Sequence, residues 1–265
     1  MKFSVIISYY KNLENLKLIF LALENQSVKK FEVIVSEDDY NEETFVFLKE
    51  AKNSYTFIIK HTHQNEDLGF RKNKMLNKSV KVANGTFLIF IDGDCVPHKH
   101  FIKSYLNNFE EQAVLKGRRV MLSEKITTHL KMTLNLKTLN FLNILFSKSE
   151  KKKNGFYSPY FNLSYKSNKK WLIGCNWGIS KKTLLMINGF DEDYVRAAVG
   201  EDNDVEWRLK CIKIKEKSVK NKAIVYHLYH KGKYSQEDLK FNKNVLKKKI
   251  EKNDFFCLNG LKKIN

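Results

Sequence analysis

The chain has 265 residues and a formal charge of +19, from 48 Lys and Arg against 29 Asp and Glu; 43% of its residues are apolar and 13% aromatic. Such a chain can bury one large core, which excludes disorder throughout. No apolar run approaches the roughly 18 residues of a membrane-spanning helix, and Phe3 to Ile7 is too short for a secretory signal.

The first strand is expected over Phe3 to Ser8, an apolar β-branched run. Leu13, Leu16, Phe20 and Leu23 recur at helical spacing and predict an amphipathic helix. A second strand, Phe31 to Val35, runs into Ser36-Glu37-Asp38-Asp39. A polar helix over Glu42 to Lys52, a strand over Tyr55 to Lys60, a helix over Gly69 to Val82 and a strand over Thr86 to Ile91 follow. Strands alternating with helices predict βαβ units and a largely parallel, Rossmann-like α/β sheet. Ligands of such sheets sit beyond the carboxyl ends of the strands, where Ser8, Asp38 and Asp92 all fall.

After Asp94 the rhythm changes. A helix over Lys99 to Phe109 leads to one strand, Ala113 to Leu122. The Leu- and Phe-rich stretch Leu130 to Phe146 predicts one or two helices, and the basic run Lys148 to Asn154 a mobile loop. A strand over Trp171 to Ile179, a short helix over Lys181 to Ile187, a helix over Val205 to Lys213 and a strand over Ala223 to Leu228 precede a lysine-rich helical tail. Cys95, Cys175, Cys211 and Cys257 show no CxxC pair and no zinc-ligand spacing, which predicts reduced thiols in a cytoplasmic protein. The positive charge suits polyanionic neighbours (nucleic acid, anionic lipid or phosphorylated glycan) or equally a Lys- and Asn-rich composition with solvated lysines.

Two acidic clusters carry the chemistry. In extended backbone, residues two apart project to one side, so Asp92 and Asp94 can aim at one cation. Gly93 between them allows a tight turn and close approach by a ligand. Hard oxygen ligands suit Mg²⁺ or Mn²⁺ bound together with substrate phosphates. The second cluster is Glu201-Asp202-Asn203-Asp204. Acidic residues favour helix N-termini anyway, and Asn203 with Glu206 has the spacing of a capping box. That box would leave Glu201 and Asp202 in front of the helix without a structural task. A partly buried carboxylate there can take a proton from an attacking hydroxyl. His227, at a strand end, can complete the metal's ligand set, with His230, Lys231 and Lys233 near the phosphates.

With these motifs the sequence resembles the inverting GT-A glycosyltransferases of the family 2 type. FSVIISYY (3–10) resembles their opening strand, FEVIVSEDD (31–39) the strand ending in an acidic uracil-binding pair, and DGDCVP (92–97) the metal motif. The stretch from Trp171 to Leu209 is similar to the carboxyl-terminal segment of β-1,4-galactosyltransferases and chondroitin-type polymerases. The resemblance implies a nucleotide-sugar-binding half at 1–115, an acceptor-binding and catalytic half at 116–232, and a basic helical tail at 233–265. Ser8 and Tyr10 would line the uridine pocket, with Asp38 or Glu37 meeting the uracil N3–H. Arg71 and Lys74 would approach the nucleotide and its phosphates. Asp92, with Gly93, would face the ribose or the metal, and Asp94 and His227 would be metal ligands. Asp202 would be the base, Glu201 an acceptor or donor-sugar contact, and Trp177 part of the sugar-binding wall.

The sequence departs from that pattern at Glu37-Asp38-Asp39-Tyr40, where many such enzymes carry Asp-Asp-Gly-Ser. It departs again at Val195-Arg196-Ala197-Ala198-Val199, in place of a tryptophan- and glycine-rich stretch. The implied reaction moves a hexose or N-acetylhexosamine from a UDP-sugar to a saccharide or lipid-linked glycan, as in lipopolysaccharide or capsule assembly. The segment from about Ser123 to Lys170 is the candidate acceptor region; its apolar stretch beside lysines fits either the anionic inner face of a membrane or a core helix packed on the sheet. One rival is a sugar-1-phosphate nucleotidyltransferase, but Ser8 to Glu14 holds no glycine for a phosphate loop. The other is a basic nucleic-acid-binding module, which would leave the carboxylates unexplained; no nucleic-acid partner is expected.

Overall fold

The computed structural model describes residues 2–160, 171–197, 200–232 and 235–264. In chain order its first half comprises β1 (Phe3–Tyr9), α1 (Leu13–Glu24), β2 (Phe31–Glu37), α2 (Glu42–Ser54), β3 (Ile58–Thr62), α3 (Lys72–Val82), β4 (Phe87–Asp92), β5 (Cys95–Pro97) and α4 (Phe101–Asn108). The second half adds β6 (Ala113–Lys116), β7 (Arg118–Met121), α5 (Glu124–Thr133), α6 (Phe141–Leu145), β8 (Asn176–Ser180), α7 (Lys181–Leu185), α8 (Glu201–Cys211), β9 (Lys215–Ser218), β10 (Ile224–His227) and α9 (Gln236–Lys252).

A seven-stranded sheet of order β3-β2-β1-β4-β8-β6-β9 forms the centre, and a three-stranded sheet, β5-β10-β7, lies beside it. β3, β2, β1 and β4 run parallel, as the alternating pattern predicts. Side chains alternate faces along each strand. Val5, Ile7, Val33, Val35, Ile89 and Ile91 thus enter one core with Leu16, Ile19 and Phe20 of α1. Ile6, Ile34, Leu88 and Phe90 enter the other, with Leu76 and Val80 of α3 and Val205 and Leu209 of α8. Both faces are covered, which is why these strands read as continuous apolar runs.

The expected single strand Ala113–Leu122 is two strands in two sheets, broken at Gly117. A Cβ there would collide with the Asn176 side chain. Asn176 donates to the carbonyls of Arg118 (2.8 Å) and Ala223 (2.9 Å) and accepts from the Tyr105 hydroxyl (2.7 Å), tying the two sheets together. The expected strand Trp171–Ile179 starts only at Asn176; before it the Leu172 and Gly174 amides go to the carboxylates of Glu206 and Asp202. The basic stretch 148–154 is pinned, contrary to expectation: Met121 and Glu150 exchange backbone bonds of 3.1 and 2.7 Å, and Lys152–Gly155 forms a 3₁₀ turn. Lys148, Lys151 and Lys153 project outward, Lys152 donates to the Leu145 carbonyl (3.0 Å), and Ser149 and Gly155 are buried. β9, too polar to be expected, pairs with β6 at the sheet edge.

The carboxyl-terminal segment is not a detached helix. Lys249 of α9 pairs with Asp191 (2.5 Å) and Asp193 (2.7 Å). The chain then returns to bury Cys257 and Leu261, and Asn188 donates to the carbonyls of Cys257 and Lys262.

Candidate active site

The parallel register sets the site. Ser8 lies opposite Ser36 and Asp92, and Tyr9 opposite Glu37, so the carboxyl ends of β1, β2 and β4 form one crevice edge. Gly93 donates to the Ser8 carbonyl at 2.6 Å, and a Cβ on Gly93 would stand 2.9 Å from that oxygen. Close approach at Gly93 is therefore made by β1 rather than by a ligand.

On the β2 side Asp38 is held by the Arg71 amide (2.9 and 3.1 Å) and by the Gln64 side chain (2.9 Å). Burial pushes its pKa up to about 7, against the Arg71 amide and the Lys72 charge. Glu37 does not face the crevice: it is fully buried and bonded to His61 at 2.7 Å. Tyr10 is half exposed at the rim, where its hydroxyl and the Lys11 ammonium meet Asp67. The Arg71 guanidinium folds back on the Phe70 carbonyl.

Lys74 is exposed on the outer side of α3. The lysine that reaches the carboxylates is Lys72, which sequence reasoning missed: it lies 3.0 Å from Asp92 and 3.5 Å from Glu201. Burial works against its charge, but Asp92, Glu201 and Asp202 outweigh burial and hold its pKa up. Helix phase is the only signal that separates Lys72 from Arg71 and Lys74 in the run Arg71-Lys72-Asn73-Lys74.

α8 begins at Glu201, after Gly200 at φ 155°. The expected capping box of Asn203 and Glu206 does not form. Glu206 is turned inward to Lys116 (3.3 Å), Lys210 (2.9 Å) and the Leu172 amide (2.7 Å). Glu201 and Asp202 instead occupy the first turn and point at the crevice. Asp202 accepts from the amides of Gly174 (3.1 Å) and Asn203 (2.8 Å). Burial raises Asp202 above the usual carboxylate range and Glu201 to about 7, each against the pull of Lys72. These two side chains share a small cavity of about 10 Å³ with Ser8, Lys72, Gly174 and Trp177, room for one water molecule. Trp177 is only 2% exposed and stacks on Phe90 at 4.4 Å, so it is the floor under the carboxylates and not a wall offered to a sugar.

Asp94 and Asp92 part company. Asp92 takes Lys72, whereas Asp94 lies 3.0 Å from His230 Nε2 and 3.4 Å from His227 Nε2. Burial would raise Asp94, but the two imidazoles hold it below its usual range. Burial also lowers His227, against the attraction of Asp94, so the ring is neutral near pH 7 and able to ligate. Ligand atoms of Asp94, Cys95 and His227 lie within 4.8 Å of one another, and His227 Nδ1 is buried without a hydrogen bond. This donor set fits a divalent ion; Cys95 is a member that cysteine spacing did not reveal. Lys231 is exposed, and Lys233, residues 161–170 of the expected acceptor region, and Ala198-Val199 lie outside the described residues.

A family model described as Glycosyl transferase family 2 matches residues 4–184, and one described as the N-terminal domain of galactosyltransferase matches residues 154–231. Among curated proteins, the uncharacterized glycosyltransferase YfnE of Bacillus subtilis is 28% identical over 113 residues, 42% of this chain and 28% of its own length. The cholesterol galactosyltransferase of Borreliella burgdorferi is 23% identical over 196 residues, 73% of this chain and 52% of its own. The chain thus spans about half or less of these relatives. The structure of S. aureus TarS 1–349 in complex with UDP superposes with a TM-score of 0.64 at 18% identity, covering 94% of this chain and 65% of that one. That of GalNAc-T7 with UDP, GalNAc and Mn²⁺ gives 0.64 at 12% identity, covering 93% and 48%. At these identities the likeness is one of fold.

Proposed function

The chain belongs to glycosyl transferase family 2 and has the GT-A fold, and from that premise we propose that it transfers a hexosyl or N-acetylhexosaminyl group from a UDP-sugar to a hydroxyl, with inversion. One observation carries the reading: Lys72 reaches both Asp92 and Glu201, joining the β4 end and the start of α8 at a single crevice.

Ser8, Tyr10 and Asp38 are the uridine side, with Arg71 at the nucleotide. Asp94 and His227 would hold a divalent cation, Mn²⁺ or Mg²⁺. When bound, the ion offsets negative charge on the departing diphosphate. Asp202 removes the proton of the acceptor hydroxyl, which attacks from the face opposite the nucleotide. Glu201 positions the incoming sugar, and Lys72 keeps Asp92 and Glu201 in fixed geometry while damping their repulsion. The open groove of about 1160 Å³ between Ser123, His129, Leu142, Phe146 and His230 suits the acceptor, because His230 also touches Asp94. UDP and UDP-GlcNAc in the TarS structures support a UDP-linked donor. The galactosyltransferase relatives support a hexosyl group, and the surface-glycan acceptor rests on sequence resemblance alone.

UDP with Mn²⁺ is expected to raise the melting temperature, by about 2.7 kcal/mol of stabilisation at a hundred times Kd. Other nucleoside diphosphates should do less. A shift produced equally by generic RNA, or by UDP without any metal dependence, would count against a sugar-nucleotide site.

Membrane attachment has its own support. Leu142 and Leu145 of α6 and Phe146, which caps it, are 63%, 39% and 85% exposed. Between Glu124 and Phe156 there are seven Lys against two Glu. Apolar side chains ringed by cations fit a bilayer containing anionic phospholipid, each lysine adding about 1 kcal/mol. The protein should co-sediment with phosphatidylglycerol vesicles, less so in high salt, and Leu142→Ser/Phe146→Ser should remain in the supernatant. Equal binding to purely zwitterionic vesicles would rule the charge argument out. Among the described residues no helix is long and apolar enough to cross a membrane.

A further inference from the structure

We propose that Cys95 makes the Asp94 site a cation site with two modes. A hard ion uses Asp94 and His227. A thiophilic ion, Zn²⁺ or Cd²⁺, recruits the Cys95 sulfur as a further ligand and displaces the hard one. The proposal rests on reading Asp94 and His227 as a ligand pair, and it does not depend on which sugar moves.

The strand pairing places the thiol. β5 runs antiparallel to β10 with Cys95 directly opposite His227. Residues facing each other across an antiparallel pair project to the same side with Cβ atoms about 5 Å apart. Thiol and imidazole are therefore side by side because of the register. Asp94 precedes Cys95 and accepts from its sulfur at 3.3 Å, while Leu228, next to His227, donates to the Asp94 carbonyl at 2.8 Å. With His230 also on Asp94 at 3.0 Å, the groups in reach are one thiol, two imidazoles and one carboxylate.

Sulfur and imidazole donors suit Zn²⁺ and Cd²⁺, while Mg²⁺ and Mn²⁺ prefer oxygen. For a hard ion the thiol stays protonated and bonded to Asp94. For a thiophilic ion the S–H bond breaks, its proton leaves to the buffer, and a metal–sulfur bond forms. No electron is transferred. Cys175 lies beside Cys95 and receives Arg119 at 3.3 Å, but the ligand atoms that converge are those of Asp94, Cys95 and His227.

The test is a Cd²⁺ titration of the full chain, followed by the ultraviolet thiolate-to-cadmium charge-transfer band. It is run in a Cys211→Ser background, because Cys211 is exposed. The band should saturate at one equivalent and be suppressed by excess Zn²⁺. Cys95→Ser should lose the band and bind Cd²⁺ at least about tenfold more weakly, while Mn²⁺ binding, read by electron paramagnetic resonance, persists. Cys175→Ser should keep the band, and Asp94→Asn, with the thiol intact, should weaken it. Cys95 is fully buried, so each variant is first checked by circular dichroism, and Asp94→Asn keeps the test decisive if Cys95→Ser misfolds. A full band in Cys95→Ser, or none in the parent protein that binds Mn²⁺, overturns the proposal. Band present with no UDP response would sink the transferase reading and spare this one; the converse would spare the transferase.

Discussion

Asp202→Asn is expected to bind UDP and Mn²⁺ as the parent protein does and to lose transfer by about 10²–10⁴-fold, the range of a missing general base. The replacement keeps the shape and removes the proton acceptor. Asp202 now serves the Gly174 and Asn203 amides with different oxygens, and Asn has only one acceptor oxygen, so a small loss of stability accompanies the change. A melting curve separates that loss from the chemistry. The pH profile gives a second readout. Burial holds the Asp202 pKa above the usual carboxylate range. The working form is the anion, so kcat should rise with pH through that raised value and level off above it. In Asp202→Asn this acid limb should vanish from whatever turnover remains. Glu201, raised to about 7 beside it, is the competing base. If Glu201→Gln loses the acid limb and Asp202→Asn turns over normally, the two roles are reversed.

The parallel half of the molecule was legible because its signals are local. Val5, Val33 and Ile89 lie in strands with two buried faces, and Leu16 and Phe20 repeat at helical spacing; period and run length report both directly. What the sequence hid depends on contacts between distant segments. Gly117 reads as a glycine inside a strand, yet it is where the chain leaves one sheet for another, since only glycine leaves room for Asn176. The sequence puts the start of α8 four residues late because the Asn203–Glu206 spacing satisfies a local rule, whereas Glu206 is drawn away by Lys116 of β6. Lys72 gained its role from the rotation of α3 against β4, and a single residue of helix is 100° of rotation. Trp177 sits in a sugar-binding motif by resemblance, but its alternation in β8 turns it onto Phe90. Cys95 and His227 are separated by more than a hundred residues, and only the β5–β10 register brings them together. The carboxylates themselves were found because acids at strand ends and helix starts mark a crevice in this architecture.

Asp94→Ala is expected to abolish the part of UDP binding that depends on Mn²⁺, leaving a weak, metal-independent remainder. Removing an outer partner of a metal ligand already lowers affinity about 10–100-fold, so loss of the carboxylate that two imidazoles hold in place should cost at least a hundredfold. Asp92→Ala should behave differently. Asp92 is engaged by Lys72, and removing it leaves that ammonium to Glu201 and Asp202, tightening the base cluster instead of emptying the cation site. UDP titrations by calorimetry, each with Mn²⁺ and with a chelator, distinguish the two variants. The ratio of affinities with and without Mn²⁺ should collapse to near one in Asp94→Ala and persist in Asp92→Ala. Were Mn²⁺ to enhance UDP binding by Asp94→Ala as strongly as it does in the parent, the ion would have to be held elsewhere, and the roles given to His227 and Cys95 would fall with it.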